Sequence, residues 1–174
     1  MIILITGPSY AGKTLLAQRM LEKYHYPYLS IDHLKMGLIR SGQTSLTPED
    51  DEVLTTYLWP IVREIIKTAV ENRQNLIVEG SYIPFDWRAD FDARYLASIR
   101  FICLVMTEKY IETHFEEIKG ATSAIEARLD DSDCKPELLK ADNRFFAEGF
   151  RQTGEQVVLI DEDWEKTAAA LLEE

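Results

Sequence analysis

Short, unbroken apolar runs alternate along the chain with segments whose apolar residues recur at helical spacing. None of the runs alternates apolar with polar positions, as a strand exposed on one face does. Each run is therefore predicted to be a strand that is covered on both faces. The predicted strands are 2–6, 26–32, 75–80, 99–106 and 156–160.

The segments between the strands predict helices. The longest begins after Thr47 as its N-cap, with Pro48 at the first position and a kink at Pro60. Thr107 and Pro136 mark the starts of two later helices. Alternating strands and helices predict an α/β fold, a three-layer sandwich with a five-stranded parallel sheet in the middle. Because right-handed crossovers bring the carboxyl ends of parallel strands to one edge, functional residues are expected just after the strands.

Length and composition favour one domain over residues 1–174. The chain has 46% apolar and 10% aromatic residues, enough for one core, and it is too short for two ordinary domains. The net charge of −11 opposes binding to nucleic acid or to an anionic membrane, although a few local cations suffice to hold a small anionic substrate. Without a basic leader or an apolar stretch of membrane-spanning length, the protein is expected in the cytoplasm, as a monomer or a homodimer.

The strongest motif is GPSYAGKT, which follows the first predicted strand and opens the first predicted helix. It matches the phosphate-binding pattern GxxxxGK followed by Thr in full. In such a loop the glycines let backbone amides approach the phosphates, the lysine reaches the β- and γ-phosphates, and the hydroxyl binds Mg²⁺. The alternative is a plain glycine turn. The predicted nucleotide-binding residues are Gly7, Ser9, Tyr10, Ala11, Gly12, Lys13 and Thr14, with Lys13 also catalytic and Thr14 a metal ligand.

With this loop, five predicted strands and no NKxD sequence, the chain resembles the P-loop NTPase superfamily, and within it the nucleoside-monophosphate-kinase-like small-molecule kinases. The stretches EGSYIP and SIDHLKMGLIR are similar to 2-phosphoglycerate-kinase-like sequences. Zeta-toxin-like and chloramphenicol phosphotransferase-like kinases share an aspartate after the second strand. The resemblance implies the sheet order 2-3-1-4-5, ATP and Mg²⁺ as cofactors, and a lid after the fourth strand that brings arginines to the phosphates.

Two acidic residues follow predicted strands at the same edge. Asp32 is a candidate catalytic base, since a carboxylate there can accept or position the proton of an acceptor hydroxyl. The alternative is that Asp32 caps the next helix, and the two roles are compatible. Glu79 is a candidate for Mg²⁺ water contacts or substrate binding, because an acid after so apolar a strand needs a cation or a partner. The alternative is an ordinary strand-end carboxylate.

Acceptor recognition is expected in residues 33–60 and 81–95, with a lid at 119–135. Arg128 is the predicted catalytic lid arginine and Arg144 the second choice, and a surface ion pair is the open alternative for Arg128. The predicted substrate contacts are Asp32, Arg40, Glu79, Tyr82 and Arg88. Packing explains the aromatic side chain in this set at least as well.

These residues together predict an ATP-dependent kinase that transfers the γ-phosphoryl group to a hydroxyl or phosphate group of a small molecule. The alternative is a regulatory module that binds ATP or GTP with little or no transferase activity. Asp32 favours the kinase, because a switch needs no acceptor site.

Overall fold

A computed structural model describes residues 1–121 and 134–173. The strands are β1 (Ile2–Thr6), β2 (Tyr28–Ser30), β3 (Leu76–Glu79), β4 (Ile99–Met106) and β5 (Val158–Ile160). They form one parallel sheet in the order β2-β3-β1-β4-β5. The α/β fold and the strand order are therefore confirmed.

Helices cover both faces of this sheet, so the fold has three layers. They are α1 (Lys13–Tyr24), α2 (Ile31–Arg40), α3 (Asp51–Glu71), α4 (Ala93–Leu96), α5 (Glu108–Ala121), α6 (Pro136–Gln152) and α7 (Trp164–Glu173), with a 3-10 turn at Trp87–Asp90. None of the described helices has the length and apolarity that a membrane crossing requires.

The central strand β1 shows why its apolar run is unbroken. Ile2 and Leu4 pack in one core, with α3 and α6, whereas Ile3 and Ile5 pack in a second core, with α1 and α7. All four side chains are buried. Burying such a side chain contributes about 1.5–3 kcal/mol relative to leaving it exposed, so both layers hold this strand in place.

The boundary between β2 and α2 differs from the prediction. The strand ends at Ser30, and Ser30 is the N-cap of α2, with its hydroxyl oxygen accepting a long 3.5 Å bond from the His33 amide. Asp32 therefore lies inside the first turn of the helix. The alternative that Asp32 is the cap is wrong, because the serine two residues earlier takes that place.

The start of α3 also differs from the prediction. The Asp50 carboxylate accepts bonds from the amide and the hydroxyl of Thr47, at 2.7 and 2.9 Å. This turn holds the preceding segment out of the helix, which begins at Asp51 and continues through Pro60. Thr47 is therefore not the N-cap, while the kink at Pro60 stays a prediction. The predicted starts after Thr107 and at Pro136 are confirmed.

Candidate active site

The loop between β1 and α1 turns at two glycines. The backbone angle φ is 140° at Gly7 and 81° at Gly12, values that residues with a side chain rarely adopt. A Cβ on Gly7 would also lie 2.2 Å from the carbonyl oxygen of Leu104 in β4. On the other side, the Ser81 hydroxyl donates to the Gly7 carbonyl oxygen at 3.1 Å. The loop is therefore fixed between the ends of β4 and β3.

Trp164, the first residue of α7, closes one side of this loop. Its indole nitrogen donates to the Ala11 carbonyl oxygen at 3.2 Å, and a Cβ on Gly12 would lie 2.3 Å from the same nitrogen. Arg19 of α1 lies over the indole ring at 4.8 Å and binds the Glu165 carboxylate through both guanidinium nitrogens, at 2.6 and 2.7 Å. The sequence predicted only that functional residues follow the strand at 156–160, and the packing of Trp164 on the loop is an additional finding.

The lysine of the loop, Lys13, folds back onto the loop backbone. Lys13 is buried, and its ammonium donates to the Pro8 carbonyl oxygen at 2.8 Å. Ser9 and Thr14 line the cavity beside it. The Ala11 methyl group is fully buried, so Ala11 has only its backbone to offer a ligand. The partly buried Tyr10 ring packs on the second core and has a φ of 68°.

Glu79 is a buried carboxyl at the same edge. It is 1% exposed and lies opposite Ser30 and Ile5 in the sheet. Burial raises the pKa of Glu79, while the charge of Lys13 and hydrogen bonds from Ser30 and Tyr28 offset part of the rise. Tyr28 donates to Oε1 at 2.9 Å, and Oε2 has no hydrogen-bond partner within residues 1–121 and 134–173. One oxygen of a buried acid is therefore unsatisfied close to the loop lysine.

A cavity of about 920 Å³, called the central cavity below, opens between the loop and helices α2, α3 and α6. Of the predicted residues, Ser9, Lys13, Thr14, Asp32, Arg40 and Tyr82 line it. The sequence did not single out Lys35, Asp51, Glu52 and Asp142, which line it as well. Burial and the charge of Asp51 raise the pKa of Asp142.

A chain of polar contacts crosses the cavity wall. Lys35 lies 2.8 Å from Asp32 Oδ1 and donates to the Tyr82 hydroxyl at 2.8 Å. Tyr82 in turn donates to Asp51 Oδ1 at 2.7 Å. Burial and the neighbouring Asp51 carboxylate raise the pKa of Tyr82, which keeps its hydroxyl a donor. The spacing of Asp32 and Lys35, three residues apart on a helix, is the one signal of this contact that the sequence carries.

Comparisons with solved structures identify the fold. A sugar kinase from Janibacter sp. superposes with a TM-score of 0.54 at 17% sequence identity, over 99% of this chain and 92% of that chain. A gluconokinase from Sinorhizobium meliloti 1021 gives 0.54 at 18% identity over 98% and 93%, and a shikimate kinase from Aquifex aeolicus gives 0.53 at 13% over 99% and 94%. The chain therefore has the same fold as these three enzymes. No protein-family model and no curated protein sequence matches the chain.

Two of the predicted arginines are bound to carboxylates away from the central cavity. Arg88 binds the Glu155 carboxylate, and Arg144 binds Glu108 at 2.5 Å on the surface. Neither belongs to the described residues that line the central cavity. Arg88 as a substrate contact and Arg144 as a catalytic residue stay predictions. To act in these roles, each guanidinium would first have to leave its carboxylate.

The predicted lid is described only at its ends. Residues 122–133 of the 119–135 segment, Arg128 included, lie outside the described residues. The lid and the role of Arg128 therefore stay predictions. The segment begins in the kinked helix α5, which ends at Ala121 and has non-helical backbone angles at His114.

Proposed function

We propose that this chain is an ATP-dependent kinase that transfers the γ-phosphoryl group of ATP to a hydroxyl or phosphate group of a small molecule. The observation that carries the proposal is that Lys13 and Thr14 of the phosphate loop share one cavity with the Asp32 carboxylate. A donor loop and a proton acceptor on the same cavity are what phosphoryl transfer to a hydroxyl needs. The kinase fold of the sugar kinase, the gluconokinase and the shikimate kinase supports the same reaction class.

The donor half of the reaction falls to the loop. Its amides and Lys13 hold the β- and γ-phosphates at the start of α1, where a helix N-terminus favours negative charge. Lys13 must exchange the Pro8 carbonyl oxygen for a phosphate oxygen when ATP binds. Tyr10 and Ala11 contribute backbone groups rather than side chains.

The acceptor half falls to Asp32. Its carboxylate takes the proton of the acceptor hydroxyl while the acceptor oxygen bonds to the γ-phosphorus and the bond to the bridging oxygen of ADP breaks. Lys35 fixes the direction of this carboxylate through its 2.8 Å contact. Arg40 and Tyr82 line the same cavity and are proposed to contact the acceptor.

The residues present fit a magnesium ion bound with the nucleotide. Mg²⁺ that is bound with a nucleotide keeps waters and phosphate oxygens as most of its ligands, so a few oxygen atoms of the protein suffice. The Thr14 hydroxyl would hold the ion, and the unsatisfied Oε2 of Glu79 suits one of its waters. Bound there, Mg²⁺ supplies positive charge that stabilises the transferring phosphoryl group.

The proposed kinase acts in the cytoplasm, where ATP and Mg²⁺ are available, and it acts as a monomer or a homodimer. The test is acceptor-dependent ADP release from Mg·ATP over a panel of nucleosides, sugars, phosphorylated sugars, amino sugars and hydroxy acids. One class is expected to stimulate release, and Asp32→Asn is expected to lower that rate by about 10²-fold or more while ATP still binds. Lys13→Ala is expected to lose ATP binding itself.

The matched control is Glu22→Gln, the same carboxylate-to-amide change at an exposed position near the carboxyl end of α1 and outside the central cavity. Its rate should equal that of the unmodified chain. ATP binding without stimulation by any acceptor in the panel would contradict the kinase and leave the nucleotide-binding regulatory module. Full activity in Asp32→Asn would remove Asp32 from the reaction.

A further inference from the structure

A second, apolar cavity opens beside the central cavity. This side cavity has a volume of about 420 Å³, and Thr55, Ser81, Phe145 and Phe146 line both cavities. Ile83, Pro84 and Phe85 complete the apolar part of its wall. A protein cavity of about 150 Å³ is enough to bind benzene, so the side cavity has ample room for a ring. A molecule in the central cavity can therefore extend into it.

Phe145 stands at the junction of the two cavities. It is 61% exposed, although it lies on α6 in contact with the partly buried rings of Phe85 and Phe146. A large aromatic left uncovered at the mouth of an apolar cavity marks a surface that a ligand covers. The neighbouring wall is closely packed, with Phe85 edge-on against Phe145 at 5.1 Å and against Phe150 at 4.9 Å. Any Cβ at position Gly149 would lie 2.4 Å from the Phe85 ring.

The charges around the cavities restrict the ligand further. Asp32, Asp51, Glu52 and Asp142 line the central cavity, and Asp86 lines the side cavity. Among the described lysines and arginines, those that line the central cavity are Lys13, which the proposed reaction uses for the phosphates, Lys35, which already binds Asp32, and Arg40. An acceptor with its own carboxylate next to this wall would meet more negative than positive charge.

We propose that the acceptor is a hydroxyl-bearing molecule with an apolar, ring-sized group that lies against Phe145 and has no negative charge beside that group. The inference names the substrate class of the proposed kinase and rests on that function. The ring of this acceptor occupies the side cavity, and the hydroxyl group of the acceptor faces Asp32 in the central cavity. Burying the ring supplies most of the affinity, and the polar wall orients the hydroxyl group.

The test measures binding without turnover, by isothermal titration of the full chain with four matched probes. They are 3-phenylpropane-1,2-diol, phenylalaninol, 3-phenyllactate and propane-1,2-diol, which vary the ring and the charge separately. The neutral and the cationic ring-bearing probes are expected to bind about tenfold or more tightly than propane-1,2-diol, as the burial of a ring allows. The anionic 3-phenyllactate is expected to bind less tightly than either.

Two variants locate the effect. Phe145→Ala should reduce the advantage of the ring by about tenfold, and Leu138→Ala, which removes an exposed apolar side chain of the same helix outside both cavities, should leave it unchanged. Equal affinity for the probes with and without a ring, or tightest binding of 3-phenyllactate, would overturn the proposal. So would a dimer, seen by sedimentation, that Phe145→Ala dissociates, because a second copy would then be the occupant.

The two proposals fail separately. If the ring-bearing probes bind in the expected order but no acceptor releases ADP, the ligand class stands and the kinase does not. If acceptors without a ring release ADP and the probes show no advantage of the ring, the kinase stands and the ligand class is wrong.

Discussion

Lys35 lies 2.8 Å from Asp32, one turn further along the same helix, and reaches the Tyr82 hydroxyl at the same distance. The ammonium group therefore joins the proposed catalytic carboxylate to the loop that follows β3. Since Tyr82 is bonded to Asp51 as well, three segments of the chain fix one carboxylate. Lys35 is a positioning residue in the proposed reaction.

Replacing Lys35 by Met should lower kcat by about 10²-fold, because a small displacement of a catalytic group costs that much. The dissociation constant of ATP should stay the same, since the phosphate loop does not depend on this contact. Lys35→Arg should recover part of the rate. Acceptor-dependent ADP release and ATP titration measure the two effects, and a variant that loses ATP binding together with rate would argue for a structural role.

Gly12→Ala and Gly42→Ala form a matched pair. Both glycines have positive φ, 81° and 71°, so alanine strains the backbone at each by about 1–2 kcal/mol. A Cβ at Gly12 would also lie 2.3 Å from the Trp164 indole nitrogen. A Cβ at Gly42 would have no atom of the described residues within 4 Å, apart from Gly42 itself and its two neighbours in sequence. Chemical unfolding should show the larger loss for Gly12→Ala, with ATP binding lost in that variant alone. Equal losses would mean that the loop and Trp164 separate easily.

Glu79 should make folding stability depend on pH. Because its folded pKa is raised above the ordinary value of 4.5, the folded protein binds more protons than the unfolded chain above that pH. Stability is therefore lost as pH rises from 4.5 through the folded pKa. Glu79→Gln should be more stable than the unmodified chain at neutral pH, and this advantage should shrink toward pH 4.5.

Urea unfolding at a series of pH values measures this effect, with Glu116→Gln as the control, since Glu116 is exposed. A constant difference between Glu79→Gln and the unmodified chain across the series would argue against the raised pKa. The same variant is expected to weaken Mg²⁺-dependent ATP binding, because the unsatisfied oxygen is replaced.

Phe150 and Phe145 provide a comparison of core and surface on one helix. Phe150 is 0% exposed, so Phe150→Ala should cost about 3–5 kcal/mol of unfolding free energy. Phe145→Ala should cost less than about 1.5 kcal/mol, because it loses aromatic contacts but leaves no buried void. Thermal unfolding of the two variants checks this, and a large loss in Phe145→Ala would mean that this ring supports the fold.

The fold was predictable because its signals are local in sequence. Ile2 and Leu4 face one core and Ile3 and Ile5 the other, so the covered strand reads as an unbroken apolar run. The turn at Gly7 and Gly12 was predictable for the same reason, since the residues of the motif are contiguous. The strand order came from the family resemblance, not from the periodicity.

The partners of the charged and polar side chains were less predictable, because most of these partners are distant in sequence. Arg88 meets Glu155 and Arg144 meets Glu108, and nothing local tells which of many acids an arginine binds. Asp51 lines the central cavity and accepts a hydrogen bond from Tyr82, which is 31 positions away in sequence. The exposure of Phe145 was not predictable either, because it depends on how α6 packs in the fold.

The contact of Trp164 with the turn at Gly12 also has a consequence for protein synthesis. The bond from its indole to the Ala11 carbonyl oxygen joins residues 153 positions apart. On the ribosome the phosphate loop is made early, yet its closing wall is made only when α7 is translated. A nascent chain that stops before Trp164 is expected to bind ATP weakly, so nucleotide capture by arrested chains of increasing length would mark the moment at which the loop is completed.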